Sequence, residues 1–303
     1  MNDVTSQDSD GFSYQRDDAD VTQVAGDRES FVLRPAVWAG GASDVGLRHS
    51  PNQDAIAMSA GLDTKGHQIA VACVSDGVST SPNSEDASAL AAETACGYLT
   101  DCLRQSHAVW DAGDALAQAF ALAQDGIVEA AGTSLPGTWA CTLVAAVYWH
   151  GVIAVGSLGD SRSYWVPDGG EPMALSTDDS MAQAQIDLGV TREIAESSSN
   201  AHAITKWLGP GASTVRPSVM SMAVTQTGWL VTCSDGLWNY ASHPAAMSRV
   251  LHDAMSRASR TENPPPAWSI CCELVAWANS QGGHDNITVT LMRLAPAPEY
   301  TDA

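Results

Sequence analysis

Two mainly antiparallel β-sheets packed face to face with helices outside, an α+β fold, are what this sequence predicts, and three observations predict it. Short apolar, β-branched runs bounded by turn residues recur from Phe31 onward. Helical spacing occurs in two pairs of segments, not after every strand. The order is therefore strands, two helices, strands, two helices and a closing strand, which is a succession of runs and not the alternation that builds a parallel sheet.

The chain begins with Asp3, Asp8, Asp10, Asp17, Asp18, Asp20, Asp27 and Glu29 against Arg16 and Arg28, with little that builds a core. Residues 1–29 thus read as a disordered acidic tail. Strand patterns start at Phe31–Trp38 and continue at Ala55–Ser59 and Ile69–Val74. Asn83 or Ser84 can cap a first helix, with Glu85 and Asp86 in its opening turn and Leu90, Ala91, Thr94, Tyr98 and Leu99 on one face. A second helix runs from about Asp114 to Ala131, with Leu116, Phe120, Ala123 and Ile127 on one side. Strand patterns at Trp139–Tyr148 and Val152–Leu158 flank the turn pair His150-Gly151 and predict a hairpin. A polar stretch, Thr177–Ala201, interrupts the sheet pattern. Strands then follow near Ser218–Val224 and Trp229–Cys233, helices near His243–Ser259 and Ala267–Ser280, and a last strand at Ile287–Leu294. Pro264, Pro265 and Pro266 sit where the last helix can start, and Gly282 and Gly283 where it must stop. The folded domain is expected to span residues 30–297, with 298–303 as a C-terminal tail.

Composition narrows the function. The chain has 303 residues, with 14 Lys and Arg against 35 Asp and Glu, for a formal net charge of -21. Only Lys65 and Lys206 are lysines, so a groove for a nucleic-acid backbone is not expected. No apolar run reaches the ~18 residues that span a bilayer, and the start lacks the basic and apolar regions of a signal peptide, so a cytoplasmic protein without membrane attachment is expected. The seven cysteines, Cys73, Cys96, Cys102, Cys141, Cys233, Cys271 and Cys272, lack C-x-x-C spacing and read as reduced core residues. Trp139, Trp149, Trp165, Trp207, Trp229, Trp238 and Trp277 sit in apolar patterns and read as packing. His107, His150, His243 and His284 lie near turns or helix ends and read as solvated.

The residues that point to chemistry are carboxylates at strand ends. Apolar runs lead into Asp76-Gly77, Asp160-Ser161-Arg162 and Asp235-Gly236, while Asp285 opens the final strand and Asp54 precedes another. One Asp-Gly is ordinarily a turn. Were these ends to converge, four or five carboxylates would face one another and demand a cation. Oxygen ligands without Cys or His select magnesium, manganese or calcium, and a pair of such ions suits hydrolysis at phosphorus.

Seven segments occur in a telling order: Gly46-Leu47-Arg48-His49-Ser50-Pro51-Asn52-Gln53-Asp54, Val74-Ser75-Asp76-Gly77, Gly137-Thr138 with Cys141-Thr142-Leu143, Gly159-Asp160-Ser161-Arg162, Leu175-Ser176-Thr177-Asp178, Ser234-Asp235-Gly236-Leu237-Trp238 and Gly283-His284-Asp285-Asn286-Ile287-Thr288. Together, over about Phe31 to Leu294, they resemble the motif set of the metal-dependent protein phosphatases of type 2C, bacterial members in particular. The resemblance implies a four-layer α-β-β-α sandwich and hydrolysis of phosphoserine and phosphothreonine by a metal-activated water. It implies two manganese or magnesium ions: Asp76 bridges both, Gly77 offers its carbonyl to one, and Asp235 and Asp285 ligate the other. Asp54 matches the acid beside the metal waters, and Asp160, with Asp235, matches a third and weaker metal site. Asn286, Thr288 and Arg162 match positions with structural roles, and Thr177–Ala201 corresponds to the flap beside the active site. A phosphorylated protein substrate, an opposing Ser/Thr kinase and a monomeric state are the partner expectations.

Two departures stand out. The family's phosphate-binding arginine falls at His49, and the arginine is one residue earlier, at Arg48. Either Arg48 or His49 is therefore a candidate for the phosphate contact. After Asp76-Gly77, Val78 stands where animal members have the histidine proposed as general acid. The competing expectation is a catalytically weak or inactive module of the same fold that binds a phosphoprotein or regulator; such a module would have lost a metal-ligating acid, whereas Asp76, Asp235 and Asp285 are all present.

Overall fold

The computed structural model describes residues 30–63, 66–105, 111–213 and 215–297; the two expected tails and His107 lie outside them. The elements in chain order are β1 (Ser30–Ala36), β2 (Ala39–Asp44), β3 (Ala55–Leu62), β4 (Gln68–Ser75), α1 (Ser84–Gln105), α2 (Ala112–Ala131), β5 (Leu143–Trp149), β6 (Val152–Leu158) and β7 (Arg162–Pro167). They continue with β8 (Met173–Ala174), α3 (Met181–Asp187), α4 (Arg192–Glu196), β9 (Ser218–Ala223), β10 (Gly228–Cys233), α5 (Asp235–Trp238), α6 (Pro244–Ala258), α7 (Ala267–Gln281) and β11 (Ile287–Leu294).

Among the described residues the strands form two sheets, ordered β1-β2-β11-β10-β7-β8 and β3-β4-β5-β6-β9, with every pairing antiparallel. Side chains alternate between faces along a strand, and β4 shows the consequence. Val71 and Cys73 pack against Ala91 and Leu99 of α1 and Leu116 and Phe120 of α2. Ala72 and Val74 share a cluster with Val144 and Val155 of their own sheet and Leu33, Leu230 and Met292 of the other. A third cluster joins Val231, Val289 and Leu291 to Met247 and Leu251 of α6 and Ile270 and Leu274 of α7. Helix, sheet, sheet and helix are thus four layers bonded by three apolar seams. Strands buried on both faces read as near-continuous apolar runs, as β4 to β6 do.

Several elements differ from expectation. β2, Ala39-Gly40-Gly41-Ala42-Ser43-Asp44, carries none of the branched residues that mark a strand, yet pairs with both β1 and β11. Its smallness is a packing requirement: a Cβ on Gly40 would stand 2.6 Å from the Trp268 backbone nitrogen, so α7 lies directly on the strand. β7 follows the 160–161 turn so closely that the sequence pattern does not separate it from β6. Trp139–Thr142 is loop rather than strand, with Cys141 bridging Gly77 and Leu208. α2 is capped earlier than expected, by Asp111, whose carboxylate accepts from the Gly113 and Asp114 amides. Within Thr177–Ala201 lie α3 and α4, packed around the small cluster Ala182, Ala195 and Ala201.

All seven cysteines are free thiols. Burial pushes the Cys141 thiol up to about 12, and those of Cys73 and Cys271 well above the ordinary range. Cys73, Cys96, Cys141, Cys233 and Cys271 are buried core residues, whereas Cys102 and Cys272 are only partly buried, so the expectation holds for five of the seven. Trp165, Trp229 and Trp238 are buried, and Trp139, Trp149 and Trp277 pack at the edges of two of the three seams.

Candidate active site

Antiparallel pairing brings the start of one strand beside the end of the next. Asp54 precedes β3, Asp76 follows β4, Asp160 follows β6, Asp235 follows β10 and Asp285 precedes β11. Residues 54 to 285, distant in sequence, therefore meet at one end of the sandwich. Asp54 is 1% exposed and Asp160 5% exposed, whereas Asp76, Asp235 and Asp285 keep partial access to solvent at the mouth.

Their electrostatics show the crowding. Burial raises the Asp54 carboxyl to about 7 against the hydrogen bonds that favour its ionised form, with Asp235 and Asp285 adding to the rise. Asp76 is pushed well above the carboxylate range by burial and by Asp54, Asp235, Asp160 and Asp285. Asp160 is raised similarly by burial, Asp235 and Asp178, with Arg162 opposing. Asp235 is raised to about 6 by burial and Asp285, offset by His202 on the flap side.

The frame around these acids is well bonded, yet two oxygens are left over. The Ser234 hydroxyl donates to Asp54 Oδ2 at 2.7 Å and itself accepts from the Thr288 amide at 3.0 Å. Asn239 donates to Asp235 Oδ2 at 3.1 Å. Among the described residues, Asp54 Oδ1 and Asp235 Oδ1 are buried without a hydrogen-bond partner. An unpaired buried carboxylate oxygen is costly unless a cation meets it. Orphaned oxygens, mutual repulsion and an all-oxygen donor set fit hard divalent cations.

Gly77 is placed beside the acids by its amide, which donates to the Gln53 carbonyl at 3.1 Å, and by its bridge to Cys141. At Gly236 a Cβ would stand 2.0 Å from the Asn286 carbonyl oxygen, so any side chain there would drive α5 from β11 and part Asp235 from Asp285. Asn286 ties the 45–53 loop to the site: its Oδ1 accepts from the Gln53 amide at 2.8 Å and its Nδ2 donates to the Val45 carbonyl at 2.9 Å. His49 Nε2 lies 3.7 Å from Asp285 Oδ1, while Arg48 is exposed one residue out on the same loop.

Arg162 is a buried cation that anchors the flap. It donates from Nε and Nη2 to the two Asp178 carboxylate oxygens at 2.8 and 2.6 Å, reaches Glu196 at 3.3 Å and Ser242 Oγ at 2.9 Å, and lies over the Trp238 ring at 3.5 Å. Beside it a cavity of about 270 Å³ opens between flap and α5, lined by residues including Glu196, His202, Tyr240, His284 and Asp285. The Ser234–Trp238 segment marks Ser234 without assigning its hydroxyl a role, and the sequence patterns do not mark His202 at all. A serine before Asp235 gives no sign that its hydroxyl serves Asp54, and His202 lies just past the polar stretch.

The family model for protein phosphatase 2C matches residues 47–277, and the chain belongs to that family. It is 29% identical over 153 residues to the serine/threonine phosphatase stp of Listeria welshimeri, a match covering 50% of this chain and 55% of that protein. The chain thus spans about half the length of the curated relatives it matches. Among solved structures, it is similar to the PPM Ser-Thr phosphatase MsPP of Mycobacterium smegmatis, determined in complex with cacodylate, at 27% identity and a TM-score of 0.64, covering 85% of this chain and 98% of that one. The catalytic domain of the phosphatase PstP, determined with two manganese ions, has the same fold at 21% identity and a TM-score of 0.63, over 88% of this chain and 99% of that one. Among the described residues no helix is long and apolar enough to cross a membrane.

Proposed function

We propose that the protein is a metal-dependent phosphatase that hydrolyses phosphoserine and phosphothreonine in protein substrates, and so opposes a Ser/Thr kinase in signalling. The observation that carries this is the convergence of five carboxylates, four of them with raised proton affinity, and two unpaired buried oxygens. Asp76 and the Gly77 carbonyl, with Asp235 and Asp285, would hold two manganese or magnesium ions, and Asp160 with Asp235 a third. Such ions supply charge neutralisation at the phosphoryl oxygens and acidification of water. Asp54 Oδ1, with Oδ2 already engaged by Ser234, would take a hydrogen bond from the attacking water. The flap, fastened through Arg162 to Asp178 and Glu196, forms a wall against which a phosphopeptide would lie.

The test is hydrolysis of a phosphothreonine peptide by the full chain. Activity is expected with manganese or magnesium and is expected to vanish in excess chelator; full turnover in chelator would overturn the reading.

The phosphate contact is assigned to His49, whose Nε2 lies 3.7 Å from Asp285 Oδ1, with Arg48 exposed one residue earlier on the loop. An imidazole is charged only when protonated, whereas a guanidinium always is. His49→Ala is therefore expected to raise KM by roughly tenfold, the scale of one charge-assisted bond of about 1.5 kcal/mol. His49→Arg is expected to lower KM below the wild-type value. A large KM increase in Arg48→Ala with a silent His49→Ala would move the contact to Arg48.

A further inference from the structure

The opposite end of the second sheet carries a different donor set. Asp63 closes β3, His67 precedes β4 and His150 occupies the turn between β5 and β6. One candidate ligand atom from each lies within 4.8 Å of the other two. Asp63 Oδ2 stands 3.1 Å from His67 Nδ1 and 2.9 Å from His150 Nε2. The two imidazoles meet edge to face, with centroids 5.4 Å apart. All three side chains are only partly buried.

We propose that Asp63, His67 and His150 form a zinc site, distinct from the catalytic carboxylates and separated from them by the eight-residue length of β4, about 25 Å at ~3.3 Å per residue. The donor chemistry differs from the other end: two imidazoles and one carboxylate select zinc or a neighbouring transition metal over magnesium. The spacing also fits. Ligands at ~2.0–2.1 Å from a tetrahedral zinc stand roughly 3.3 Å apart, within a few tenths of an ångström of both observed oxygen–nitrogen distances.

The ligands are held in place before any metal arrives. The His67 amide donates to Asp63 Oδ1 at 2.8 Å, which turns Oδ2 toward the histidines. Asp63 and His67 are further joined by the Asp63 amide donating to the His67 carbonyl at 2.8 Å. His150, at φ 47, stacks on Trp149 with ring centroids 4.2 Å apart and planes within 9°. Such support from neighbouring groups is what orients metal-ligating imidazoles and carboxylates. Three protein ligands leave the fourth position for water or a small ligand, and both histidines line a cavity of about 470 Å³ with Tyr148, Gly151 and Pro296. A zinc ion here would clip the β3–β4 turn to the β5–β6 turn, which already meet through the shared Asp63 oxygen.

The experiment is calorimetric titration of zinc into the full chain in excess magnesium, for the wild type and for Asp76→Asn, His67→Gln and His150→Asn. Asparagine tolerates the positive φ of position 150. One zinc equivalent is expected in the wild type and in Asp76→Asn, and its affinity is expected to fall at least about tenfold in either histidine variant. Melting curves without metal check that each variant folds, and His67→Gln decides should His150→Asn not fold. Absence of zinc binding in the wild type, loss of the equivalent in Asp76→Asn, or histidine variants that bind as the wild type does would each overturn the proposal.

Discussion

Asp76→Asn is expected to lower kcat on a phosphothreonine peptide by roughly three orders of magnitude, with the fold intact. Asp76 is the member of the cluster that feels all four of the others, so it is the carboxylate best placed to be shared between cations. Asparagine keeps the shape and the backbone contacts, in which the Asp76 amide donates to Thr142 Oγ1 at 3.0 Å and the Thr142 amide donates back to the Asp76 carbonyl at 2.8 Å. What it removes is one negative charge. The metal-free variant should be no less stable than the wild type, because an acid whose ionisation is penalised by burial and by four neighbouring carboxylates is replaced by a neutral side chain. Asp235→Asn is expected to match the loss of kcat, and Asp160→Asn to lose much less, since it would serve only the weaker third site. Small and equal losses in all three variants, measured by single-turnover kinetics in saturating manganese, would sink the ligand assignment.

What the sequence makes legible here depends on how local the signal is. β11 is readable to the residue, because Ile287–Leu294 is an unbroken strand pattern behind a Gly-Gly stop. β2 is not, because its residues are chosen for the close approach of α7 and not for strand propensity. The five aspartates are readable because three follow apolar runs and two precede them, positions that antiparallel pairing brings to one end of the sandwich. Ser234 is not, since a hydroxyl becomes a site component only through where it points, here at Asp54 Oδ2. Arg162 is readable as a tie between loops, but its partners Glu196 and Ser242 come from segments with no pattern of their own. His150 reads in sequence as a solvated turn residue. In the structure it is held between Trp149 and Asp63, a partner from another hairpin that no window of sequence contains.

The same carboxylates set a pH dependence of stability whose sign is opposite to that of ordinary salt-bridged acids. Asp54 at about 7 and Asp235 at about 6 both lie above the ~3.9 of an unfolded aspartate, and Asp76 and Asp160 are also raised well above it. Between about pH 4 and pH 7 the metal-free folded chain therefore binds more protons than the unfolded chain, so stability falls as pH rises through that window. A carboxyl whose pKa stands one pH unit higher in the folded chain accounts for ~1.4 kcal/mol of that fall, but these groups interact and three of the five acids touch solvent, so a total of a few kcal/mol is the reasonable scale. For a domain of this size that is a fall of about 10 °C in Tm. Thermal melts in chelator are expected to show that fall between about pH 4 and pH 7, and Asp54→Asn, which removes a titrating group, is expected to flatten it. Adding manganese should raise Tm more at pH 8 than at pH 5, because a cation binds the ionised cluster and must displace protons from the neutral one. A metal-free Tm that is flat or rises over this range would show that the acids are not mutually repelling, and would remove the electrostatic case for a metal centre at this end of the sandwich.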